Sequence, residues 1–221
     1  MDHLLRRQLL TTFVPAGLLL AGLAVLGLGY GKDIGQLMRE PTATAGLHPL
    51  TGLVSNLGVL LWAAAAAISF FSGSILRGAD KDSAAGFMFS SGCLSAYLCL
   101  DDFFQIHEDL VGRYFGIRER YVYVVLAIAV LAYLLRYRHL ILRTNYSVLI
   151  VSFLFLGASV VIDDFFEPWM QGLGQGRILI EDGVKWLGIA AWCSYHVRTA
   201  CGLVADGVLP SGGSGVRQTG P

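Results

Sequence analysis

Three short stretches carry nearly all the residues able to do chemistry. They read Leu100-Asp101-Asp102-Phe103-Phe104-Gln105-Ile106-His107-Glu108-Asp109, Ile162-Asp163-Asp164-Phe165-Phe166-Glu167, and Ile180-Glu181-Asp182-Gly183-Val184-Lys185. Each is two acids, two spacers and a long polar residue: DDFFQ, DDFFE, EDGVK. On a helix, positions i, i+1 and i+4 fall within about 100° of one another. Asp101, Asp102 and Gln105 therefore share a face, with Glu108 one turn on; Asp163, Asp164 and Glu167 share another, and Glu181, Asp182 and Lys185 a third. The opposite faces carry Phe, Ile, Leu and Val. His107 falls about 120–140° from the Asp101/Asp102/Glu108 face if the helix continues, and turns inward if the helix ends near Gln105.

Crowded carboxylates repel, so they are protonated, paired or bound to a cation. Lys185 and nearby arginines neutralise only a few. A bound divalent ion stabilises such a set most simply. All-oxygen ligation suits Mg, Ca or Mn, and one histidine admits Fe or Zn. The expected ligands are Asp101, Asp102, His107, Glu108, Asp163, Asp164, Glu167, Glu181 and Asp182. His107 and Glu108 are the expected acid/base pair.

These acids sit at the ends of greasy segments. The chain has 221 residues, of which 55% are hydrophobic and only 14% charged, against about 25% charged in a soluble domain. Mean hydropathy is +0.61. The composition is that of an integral membrane protein, and the zero formal net charge argues against a nucleic-acid partner. The four cysteines, Cys93, Cys99, Cys193 and Cys201, have no zinc-like spacing.

Six apolar segments, near 9–29, 52–76, 84–104, 121–138, 146–166 and 178–198, each match the roughly 20 residues that a bilayer crossing needs. They predict an all-α bundle of six transmembrane helices over residues 1–206. The Gly/Ser/Pro-rich stretch 207–221 reads as a disordered cytoplasmic tail. The first segment follows Arg6-Arg7 but is long for a signal peptide, and reads as an uncleaved span. With the N-terminus inside, the inner segments hold nine Lys/Arg against six outside. That orientation places the chain in the cell (inner) membrane with both termini cytoplasmic. Asp101 and Asp163 each lie about seventeen residues beyond the inner ends of their spans, and Glu181 about seventeen before the inner end of its own. Seventeen helical residues rise about 25 Å, so all three doublets reach a similar depth near the outer face. Intramembrane acids usually face the protein interior and mark function.

DDFFQIHE, followed later by EDGVK, resembles bacterial multi-pass membrane proteins of unknown function that carry D-D-x-F-x-x-H-E and E-E-G-x-K or E-D-G-x-K. EDGVK is also similar to the E-E-x-x-K motif of PrsW-type intramembrane metalloproteases, with Asp182 in the second acidic place. The seven spans and several histidines of alkaline ceramidase-like hydrolases are not matched. The expectation is a metal-dependent membrane enzyme acting on a lipid-like substrate. A cation or proton transporter and a non-catalytic assembly subunit are the alternatives. A transporter would need polar residues deeper in the bilayer, where spans three and five offer mainly Ser90, Ser91, Ser95, Ser152 and Ser159.

Overall fold

The computed structural model describes residues 3–31, 33–162 and 175–208. Among these, every regular element is helical. Two compact units divide at Gly52, residues 1–52 and 53–221.

The first unit holds α1 (His3–Ala24), which runs on through a wide helical turn at Val25–Gly29, and two short helices, α2 (Ile34–Met38) and α3 (Pro41–Thr44). Asp33 caps α2 by accepting the Gly35 N–H at 2.8 Å. Pro41 opens α3 at a position where its missing N–H costs nothing.

The second unit contains α4 (Leu53–Gly78), α5 (Asp82–Phe104), α6 (Val111–Phe115), α7 (Glu119–Ile141), α8 (Tyr146–Val161) and α9 (Gln175–Val208). Among the described residues, four helical segments are long and apolar enough to cross a membrane: Leu5–Gly29, α4, α5 and α7. They make the chain a membrane protein. α8 is apolar but shorter, and its sequence continues beyond the described residues. α9 spans about 50 Å at 1.5 Å per residue, and is broken in hydropathy by Glu181, Asp182 and Lys185 near one end and Arg198 near the other. It reaches Val208, the last described residue, ten residues beyond the apolar stretch.

α4 packs along both α5 and α9, and α8 packs along α9. Small residues allow the close approach. Gly188 of α9 lies so near α8 that an added Cβ would come within 3.0 Å of the Leu156 backbone nitrogen, and Ser152 donates across the gap to the Gly188 carbonyl at 2.9 Å. Such small-residue contacts replace the hydrophobic driving force that lipid does not supply. Trp62, Phe87, Met88, Trp192 and Tyr195 fill the centre. By contrast α7 and α8, although joined by a short turn, make little contact with each other. A cavity occupies the space between them.

Candidate functional site

α5 ends where its sequence allows a turn. Gln105 adopts a left-handed conformation (φ 50°) and donates its N–H to the Asp101 carbonyl. The chain then forms a wide turn over Ile106–Leu110, in which Leu110 N–H reaches back to Gln105 O at 3.1 Å and Val111 N–H to Ile106 O. Wide turns of this kind recur at functional sites. This one swings His107 from the lipid side back over the last turn of α5. Phe103 and Phe104 remain exposed.

Asp101, 4% exposed, grips His107, 8% exposed. One carboxylate oxygen accepts the His107 backbone N–H at 3.1 Å and the other meets ring Nδ1 at 2.5 Å. The second ring nitrogen, Nε2, faces Glu108 at 3.6 Å and Glu119 at 3.7 Å. Glu119 opens α7, accepts the Tyr123 hydroxyl at 2.9 Å, and so places the Tyr123 ring 5.1 Å from the imidazole. Burial disfavours the imidazolium. The Asp101 hydrogen bond and charge outweigh it, Glu108 adds to them, and Lys185 opposes; the net effect raises the His107 pKa above the ordinary value.

Asp102 points to different partners. Its Oδ2 accepts the indole N–H of Trp62 from α4 at 2.8 Å, and its Oδ1 pairs with Lys185 of α9 at 2.9 Å. One carboxylate thereby ties three helices together. Lys185, counted in the sequence among the cations able to neutralise a few of the acids, pairs here with Asp102 at the end of α5.

Asp101, Asp102, His107, Glu108, Glu181, Asp182 and Lys185 all line one cavity of about 430 Å³. Two of the three acidic doublets thus converge. Asp163, Asp164 and Glu167 lie outside the described residues. Leu126 and Val130 of α7 and Phe153, Leu156 and Val160 of α8 form the opposite, apolar wall. The cavity is polar at the α5–α6 end and apolar along its length.

Among the described residues, no group of three or more His, Cys, Asp or Glu side chains is arranged to hold a metal ion. Asp101 spends both oxygens on His107 and Asp102 spends both on Trp62 and Lys185. For these two carboxylates the partners are protein donors. Trp62 and Glu119 had no place in the sequence reading, and Tyr123 counted there only as a membrane-boundary tyrosine. The Glu119–Tyr123 spacing of i, i+4 is a visible signal; nothing local marks Trp62, forty residues from its partner.

An all-helical membrane protein with a histidine clamped by a carboxylate at the polar end of an apolar cavity is the class that fold and site define. Within it, the chain belongs to the family described as a domain of unknown function, DUF8692, whose model matches residues 11–199. No curated protein and no solved structure matches the chain.

Proposed function

We propose that the chain is a six-span protein of the cell (inner) membrane, both termini cytoplasmic, that binds a lipid-like substrate in the α7–α8 cavity and acts on it by acid–base catalysis. The observation that carries this reading is the Asp101–His107 pair at the polar end of a long apolar cavity. A carboxylate on Nδ1 fixes the tautomer of the ring and stabilises its protonated form, leaving Nε2 to exchange a proton with substrate. Glu108 and Glu119 beside Nε2 stabilise the charged ring when it has accepted that proton. The gap between α7 and α8 gives an acyl chain a lateral way in from the bilayer, and pockets of this shape orient ligands by a few polar groups at one end.

The reading calls on no metal ion. Elemental analysis of detergent-purified protein separates it from an ion-centred version of the same site. The direct test uses wild type, His107→Gln and Asp101→Asn on lipid esters and phosphoesters in mixed micelles. Loss of a positioned acid–base group lowers turnover by about 10²–10⁴-fold. Full turnover in His107→Gln overturns the proposal, as does a stoichiometric metal whose removal abolishes a turnover that His107→Gln retains.

One observation favours a second reading, a proton pathway. His196 is completely buried and, among the described residues, its Nε2 and the buried Ser69 hydroxyl have no hydrogen-bond partner. Buried waters satisfy groups of this kind. Proton flux in liposomes that His196→Phe abolishes would place this reading first.

A further inference from the structure

At the far end of the second unit lies another cavity, of about 200 Å³. Arg198 is sixteen residues along α9 from Asp182, or about 24 Å of helix from the acidic cavity. The turn between α7 and α8 forms one side, with Arg143, Thr144 and Asn145; α9 forms the other, with Tyr195, Arg198 and Thr199. Thr144 anchors the turn, bonding to the Ile141 carbonyl at 2.7 Å and to the Tyr195 hydroxyl at 3.0 Å. Tyr195 and Thr199 are buried, 1% and 6% exposed. Asn145 stands at the start of α8 and makes no side-chain capping bond, which leaves its amide for a ligand. The helix start adds partial positive charge. Asp206 stands at the cavity as the single carboxylate against two arginines.

We propose that this cavity binds a phosphate group, as an anionic lipid headgroup or as free phosphate. Two arginines lining one cleft suit phosphate oxygens, which guanidinium groups bind by paired N–H donors. Basic pockets between membrane helices recognise headgroups in this way. Arg143, in the turn after α7, and Arg198, on α9, are both exposed. The site is independent of the acid–base reading, since it shares no residue with the acidic cavity.

The experiment measures retention of phosphatidylglycerol and phosphatidylcholine by the full chain, using native mass spectrometry from detergent, and uptake of inorganic phosphate by calorimetry. Wild type retains phosphatidylglycerol in preference to phosphatidylcholine. Arg143→Gln and Arg198→Gln each weaken retention about fivefold, and together about thirtyfold, with melting temperature unchanged. Asp206→Asn strengthens it, a sign that a purely structural role for these groups would not give. Competition by millimolar inorganic phosphate assigns the site to phosphate itself, and lipid retention without such competition assigns it to the headgroup. Equal phosphatidylglycerol retention by wild type and the double variant overturns the proposal, and so does a wild type that takes up neither probe.

Discussion

Lys185 and Asp102 give the sharpest test of how the acidic cavity is held together. Asp102→Asn keeps an oxygen for the Trp62 indole but removes the charge facing Lys185 2.9 Å away. Lys185→Met removes the other partner at similar length. A hydrogen bond to a charged group contributes about 1.5–3 kcal/mol, and a fully exposed ion pair at most about 1. Here Asp102 is 13% and Lys185 37% exposed, so solvent screens the pair partly, and about 2 kcal/mol is expected for each single change. For a chain of this size that corresponds to about 4–8 °C in melting temperature. The double variant should lose no more than either single one, because the second change removes the charge that the first left stranded. The assay is thermal unfolding of all four proteins in one detergent at pH 7. A coupling of about 2 kcal/mol supports the α5–α9 tie. Additive losses, with a coupling within about 0.5 kcal/mol of zero, are the behaviour of independent sites and would refute the reasoning.

The remaining expectations concern the histidine clamp and the α8–α9 contact. Because the His107 pKa is raised in the fold, its pair with Asp101 contributes stability that is fully present below the unfolded value, near 6.5, and is lost as pH rises through the folded value. The melting temperatures of wild type and His107→Gln should therefore converge as pH rises from 6 toward 9, and a constant gap would contradict the pairing. Gly188→Ala forces a Cβ to within 3.0 Å of backbone on α8 and should destabilise by about 1–3 kcal/mol. Gly183→Ala, on the same helix with nothing among the described residues within 4 Å, should be neutral or stabilising by up to about 1 kcal/mol. Melting curves of the two variants side by side check the contrast.

Much of the helical layout is legible in hydropathy alone. α4 begins and ends within two residues of its apolar stretch, and α5 and α7 within three. The bilayer is the reason: twenty apolar residues with satisfied backbone can only be helix, so local composition is enough. Pattern also foretold that Asp101 and Asp102 lie on the inward side of α5, since Phe and Leu occupy the other. The continuation of α9 past residue 198 to Val208 was less visible, because the apolar stretch that marks a span has ended by then.

The chemistry of the pocket rests on decisions that no short window contains. Whether His107 faces lipid or Asp101 depends on one backbone angle at Gln105, where both outcomes were open from spacing. Asp101 and Asp102 are neighbours in the chain with nearly the same helical direction, yet one clamps a histidine six residues on and the other bridges to Trp62 and Lys185. Charge counting showed that the acids needed neutralising and named Lys185 among the available cations, but it could not say which acid, eighty-three positions away, the lysine meets at 2.9 Å. Composition and hydrophobic period act locally and so are written in order along the chain. The partners of a buried charge are set by how helices cross, and that is a property of the assembled bundle.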